Sequence, residues 1–170
     1  NFDKPFLMLL LAYYYANHNN AQNPFLVLFR SLGLGIIASA VLLIPALLTG
    51  YLKFDPKIPE ILSGWIILNI IVVISEEALF RGFIQNALNE ALSSIKIKYH
   101  AHISMIIASI LFGIMHHHGG TMYMFLSFIA GLFYGYAMML TKRIEASIIV
   151  HFTVNLVHLL LFTYPYAVHA

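Results

Sequence analysis

The sequence predicts an all-α fold, a multi-span transmembrane helical bundle of about six hydrophobic segments around a polar intramembrane cavity. Three observations predict it. Hydrophobic residues make up 61% of the 170 and charged residues only 9%, with mean hydropathy +0.84, whereas a soluble domain carries about 25% charge. Apolar runs recur along the whole chain, several near the roughly 20 residues that cross a bilayer core as a helix. The few polar residues inside those runs are clustered rather than scattered. A soluble fold of this size has no way to hide so much apolar surface, and lipid does, being itself an apolar solvent.

The segments follow in order. Pro5 to Ala16 is a short apolar stretch that reads as a truncated or interfacial helix, and the polar connector Asn17 to Asn23 follows it. A Gly- and Leu-rich second segment runs from Pro24 to Gly50. Tyr51 to Glu60, with two prolines and mixed charge, is a loop. The third segment begins at Ile61 and continues to Leu92, becoming polar after Ile74, and Ser93 to His100 is a loop. The fourth is Ala101 to His118, broken by Gly119-Gly120. The fifth, Thr121 to Leu140, ends at Lys142-Arg143, and the sixth covers Glu145 to Phe162. With no internal repeat, linker or low-complexity tract, residues 1–170 read as a single membrane-embedded domain.

Several function classes drop out. The net charge is +2, and no basic cluster offers a nucleic-acid footprint. Cysteine is absent, so there is no disulfide framework, thiolate metal site or cysteine nucleophile. Apolar runs along the whole length argue against a cleaved signal peptide, and the opening on Asn1 predicts sequence ahead of it. Alternating the six segments places Lys4, Lys53 and Lys57 on one side. Lys96, Lys98, Lys142 and Arg143 fall on the other, with Arg30 near it, and the positive-inside rule makes that second side cytoplasmic. The expected location is a cell membrane, as an integral multi-pass protein.

Charge inside a span is the informative anomaly, because each such residue costs at least about 2.5–3.5 kcal/mol on insertion. Tyr99 to Thr141 holds no Asp, Glu, Lys or Arg, and neither does Ala146 to Ala170. The third segment nevertheless reads Ile74-Ser75-Glu76-Glu77-Ala78-Leu79-Phe80-Arg81. Glu77 and Arg81 are four apart and share a helix face, so they can pair. Glu76 points about 100° away and must face another polar group. One glutamate therefore reads as structural and the other as free for chemistry. His116 ends the fourth segment, and His151 and Asn155 lie four apart on one face of the sixth. Carboxylate and imidazole together can activate a water or bind a divalent metal. Imidazole and carboxamide can donate hydrogen bonds to a developing oxyanion. The set suits amide hydrolysis. Each element also has a plainer reading: a helix-end ion-pair cluster for Glu76, Glu77 and Arg81, an interfacial imidazole for His116, and interhelical hydrogen-bond glue for His151 and Asn155. His100, His102 and His169 read as interfacial, His18 as a loop residue, and His158 as supporting or packing.

Glu76-Glu77-xxx-Arg81, Phe112-xxx-His116 and His151-xxx-Asn155, in that order on three helices, resemble the CAAX prenyl protease and bacteriocin-processing (CPBP, or Abi) family of intramembrane endopeptidases. The resemblance covers about residues 61–162. It implies that Glu76 with His116 activates the attacking water, that Glu77 and Arg81 hold the site's electrostatics, and that His151 and Asn155 stabilise the oxyanion. It implies a peptide or membrane-associated protein as substrate and the lipid bilayer as surroundings. On a metalloprotease reading, Glu76, His116 and His151 would ligate a divalent metal such as Zn²⁺; on a glutamate–water reading there is no metal. Phe112 spacing selects His116, but the run His116-His117-His118 departs from the family's single histidine and leaves His117 and His118 open. A catalytically idle scaffold or bacteriocin-immunity protein is the alternative, and a transporter with a Glu/His ion path a third.

One geometric problem accompanies this reading. With the fourth and sixth segments entering from the same side, His116 lies about 15 residues deep and His151 about 6, a depth difference of about 13 Å at 1.5 Å per residue. The two converge only if a segment tilts or dips, and the connection from Lys142 to Ser147 is the expected place, since irregular backbone is allowed where protein surrounds it.

Overall fold

Asn23 starts the first helix by a local rule: its side-chain oxygen accepts from the Phe25 amide at 2.9 Å, and Pro24 takes the first helical position, where no N–H is needed. From there the computed structural model describes residues 23–164, with five helices and no strand among the described residues. They are α1 (Pro24–Leu48), α2 (Leu62–Ser94), α3 (His100–Met115), α4 (Gly120–Thr141) and α5 (Ile144–Leu161). The expected short segment Pro5 to Ala16, with His18 and His169, lies outside the described residues. Four helices are long and apolar enough to span a bilayer, and the protein is an all-α, multi-pass membrane bundle. The exception is α3, whose 16 residues rise about 24 Å, short of a hydrocarbon core of about 30 Å.

Two expected boundaries move. The third segment does not stop at Leu92 but runs to Ser94, and its centre, Ala78–Gln85, winds as a π-helix. The fourth does not reach His118. It ends at Met115, and His117–Gly119 form a 3₁₀ turn that leads into α4. A histidine run has no apolar face to bury, so the helix stops where the histidines begin.

Within the bundle α3 lies along α4, α1 along α5, and α4 on α5. The first part of α2 stays at the periphery: from Leu62 to Glu77 only Val73 and Glu77 are buried. Small residues let the helices close up. A Cβ on Gly131 would sit 3.1 Å from Arg81 Nη2, and one on Gly135 2.7 Å from Gln85 Oε1. These glycines open the α4 backbone to α2, and Arg81 Nη2 donates to the Gly131 carbonyl at 3.0 Å and Gln85 Nε2 to that of Gly135 at 3.1 Å.

The turn between α4 and α5 leaves Lys142 exposed and Arg143 half-buried, and burial begins with the first turn of α5. Ile144, Ala146 and Ser147 are at most 1% exposed, so α5 begins inside the protein. The loop after α1 folds across the end of α5: the amides of Asp55 and Lys57 donate to the carbonyls of Leu161 and Leu160, and that of Thr163 to Lys53. Lys57 adds a bond to the Phe162 carbonyl and an ion pair with Asp55.

Candidate active site

Glu77 is the most completely satisfied acid in the bundle. It is 0% exposed, and its Oε2 lies 3.3 Å from Arg81 Nε, the i,i+4 pair expected from the spacing. His151 Nδ1 lies 2.8 Å from Glu77 Oε1, and Ser147 Oγ 2.5 Å from Oε2. The carboxylate accepts from His151 and Ser147 and faces the Arg81 guanidinium as an ion pair, so each neighbour offsets part of the cost of burying its charge. The Arg81 guanidinium is 0% exposed as well and stands 4.6 Å from the Phe112 ring centroid and 5.3 Å from that of Tyr134, within cation–π range.

The contact to Glu77 decides how His151 is used. Its Nδ1–H is committed to the carboxylate, which leaves Nε2 as the reactive edge. Tyr134 stacks on the ring at 4.3 Å with a 13° tilt, and Phe112 meets it edge-on at 5.8 Å. Glu76, whose side chain is 29% exposed, brings Oε2 to 3.8 Å from His151 Nε2. That separation exceeds a direct hydrogen bond and leaves the two groups in reach of a shared water. The polar group that Glu76 was expected to face is therefore His151.

A cavity of about 80 Å³ opens beside this cluster, enough for several waters. His116, His151, Asn155, His158 and Tyr123 supply its polar lining, and Tyr51 and Leu52 close it from the loop after α1. His116 caps α3. Its Nδ1 donates to the Phe112 carbonyl at 2.7 Å, which again leaves Nε2 outward. Both imidazoles flank Phe112, with His116 4.5 Å and His151 5.8 Å from that ring, so the two histidines converge despite the depth difference expected from the sequence. Asn155 Nδ2 donates to Asn69 Oδ1 at 3.4 Å.

The structure thus brings Glu77, Arg81 and His151 into one buried cluster, and His116, His151 and Asn155 into one cavity. Glu76 stands against His151 but outside the cavity lining. His117 and His118 are exposed, stack on each other at 3.8 Å and do not line the cavity, so of the three histidines His116 is the one at the site. His158 lines the cavity with Nε2 3.1 Å from the Thr163 carbonyl. His100 is half-buried against Asn89 at 2.7 Å.

The metal expectation finds less support. Outward Nε2 edges are what metal-binding histidines present. Yet among the described residues no three His, Asp or Glu side chains gather into a ligand set, so Glu76, His116 and His151 do not fit a metal as they stand.

Sequence reasoning missed Asn69, Ser147 and Tyr134. Asn69 had a signal: it is a polar residue in a span, seven before Glu76 and so on its face. Ser147, four before His151, shares that residue's face. Tyr134 had none, since ten tyrosines in the chain look alike.

A family model described as type II CAAX prenyl endopeptidase, Rce1-like, matches residues 58–157. No curated protein and no solved structure matches the chain. The match covers α2 to most of α5 and contains Glu76, Glu77, Arg81, His116, His151 and Asn155.

Proposed function

The chain belongs to the Rce1-like family of type II CAAX prenyl endopeptidases, and from that membership and the site geometry we propose that it hydrolyses a peptide bond inside the membrane by a glutamate-activated water. One observation carries the reading. A fully buried carboxylate, Glu77, fixes His151 by Nδ1 and turns Nε2 toward a second, partly exposed carboxylate, Glu76.

The roles follow from that arrangement. A water held near Glu76, with His116 Nε2 as a second acceptor, attacks the scissile carbonyl carbon, and Glu76 takes its proton. The carbonyl oxygen becomes an oxyanion. Asn155 Nδ2 donates to it, and so does His151 Nε2 when the imidazole carries its second proton beside the two glutamates. Collapse breaks the C–N bond, and the proton held by Glu76 passes to the leaving amine. Glu77 and Arg81 position His151 and do not touch the substrate. The substrate class is a peptide or membrane-associated protein in the lipid phase of a cell membrane, and a prenylated C-terminal peptide is the first candidate, from the family's name.

Cleavage of a farnesylated CAAX-type peptide and of its unprenylated form by protein in lipid nanodiscs tests the reading. Wild type cleaves at least one, and Glu76→Gln cleaves neither while remaining folded. Equal turnover by the two proteins would overturn it.

A further inference from the structure

Farther along α1 and α4 from the residues that line the catalytic cavity, the two helices leave a groove of about 430 Å³ between them. Its walls are mostly apolar, with Leu34 and Ile37 from α1 and Leu140 from α4. A Cβ added to Gly33, also in the wall, would meet nothing within 4 Å. The groove is open volume, and in a bilayer apolar volume of this kind fills with hydrocarbon.

Three polar side chains, Arg30, Ser31 and Thr141, break the apolar lining. Arg30 is exposed and makes no ion pair among the described residues. A cation on the flank of a spanning helix needs an anion, and in a membrane the nearest source is a headgroup phosphate. Ser31 is 2% exposed, yet its Oγ has no partner among the described residues. That is unusual here. Ser39, Ser104, Ser109, Thr141 and Thr153, all buried, each donate to a carbonyl one turn back on their own helix. The Ser31 hydroxyl, which lines the groove, is thus left without an acceptor among the described residues.

We propose that this groove is a binding site for an anionic phospholipid. The phosphate pairs with Arg30, a glycerol ester carbonyl accepts from Ser31 Oγ, and one acyl chain lies along Ile37 and Leu140 over the gap at Gly33. The exposed Lys142 at the end of α4 adds a second positive charge at the same end of the bundle, the end the charge pattern places toward the anionic cytoplasmic leaflet. The site is independent of the reaction the catalytic cavity performs.

The test is lipid retention by native mass spectrometry, after purification from vesicles of equal phosphatidylglycerol and phosphatidylcholine with identical acyl chains. Wild type is expected to retain phosphatidylglycerol about five-fold over phosphatidylcholine, the ratio that one basic contact of about 1 kcal/mol produces. Arg30→Gln is expected to lose that preference. Gly33→Leu, which fills the groove, is expected to lose retention of both lipids. Equal retention by wild type, an unchanged preference in Arg30→Gln, or unchanged retention in Gly33→Leu would each overturn the proposal. So would displacement of phosphatidylglycerol by inorganic phosphate alone, which would leave the acyl groove without a role.

Discussion

Glu76 and Glu77 are adjacent in the chain and opposite in circumstance. Glu77 is 0% exposed, accepts from His151 and Ser147 and is paired with Arg81. Glu76 is 29% exposed at its side chain, and its one ion-pair neighbour, His151, stands at 3.8 Å. The same functional group thus serves two ends. A carboxylate enclosed by two hydrogen-bond donors and a guanidinium is held in place and organises its neighbours. One that keeps free lone pairs, partly exposed beside the cavity-lining His151, can take and return a proton. One step along a helix, a rotation of about 100°, is enough to separate the two.

The largest effect is expected from breaking the saturated side. Glu77→Gln strands the buried Arg81 guanidinium, and removing half of a buried pair costs about 3–5 kcal/mol. A thermal shift in detergent should fall steeply, or expression should fail. Replacing both residues in Glu77→Leu/Arg81→Leu should recover much of that stability, since an apolar pair of similar volume is often neutral, and should still be inactive because His151 has lost its anchor. Equal melting of Glu77→Gln and Glu76→Gln would dissolve the contrast.

Breaking the unsaturated side should cost activity and spare the fold. Glu76→Gln is expected to melt within about 1 kcal/mol of wild type and to lose about 10²–10⁴ in turnover. Next comes Asn155→Ala, expected to lower kcat by about 10²–10³ and leave a measurable remainder; a remainder equal to wild type would remove Asn155 from the reaction. Exhaustive chelation should change turnover little, because the donors do not converge as a ligand set. Loss on chelation with recovery on added Zn²⁺ would show that substrate draws Glu76, His116 and His151 together around a metal. The smallest effect belongs to His117→Ala and His118→Ala, both exposed. They should alter stability by no more than about 0.5 kcal/mol and leave the rate unchanged.

How much of this was legible beforehand follows from what kind of force sets each feature. Span positions come from hydropathy, a property of each residue, and so α1, α2, α4 and α5 were visible within a few residues. The Glu77–Arg81 pair is set by helical periodicity and was visible too. The contact of His151 with Glu77 joins residues 74 apart in the chain and depends on how α5 packs against α2, which no local pattern encodes. The resemblance assigned His151 to the oxyanion, and only the packing showed that its Nδ1 is already committed. The shortness of α3 was hidden because His116, His117 and His118 were counted into an apolar run that the helix itself abandons at Met115.

The π-helical stretch Ala78–Gln85 has a meaning for α2 as a whole. The part before it packs on α5, and the part after it packs on α3, where Asn89 meets His100. Those two partners are fixed in place by other contacts and have no reason to lie at positions that one uninterrupted α-helical phase would serve. A wider winding at the midpoint works as a joint between two helical phases, so that each half can be keyed to its own neighbour. The joint also begins directly after Glu77 and ends on Gln85, with Arg81 at its centre. A one-residue insertion or deletion there would turn the two halves against each other by about 100°, and the helix would have to choose between its partner in the active site and its partner at the bundle's end.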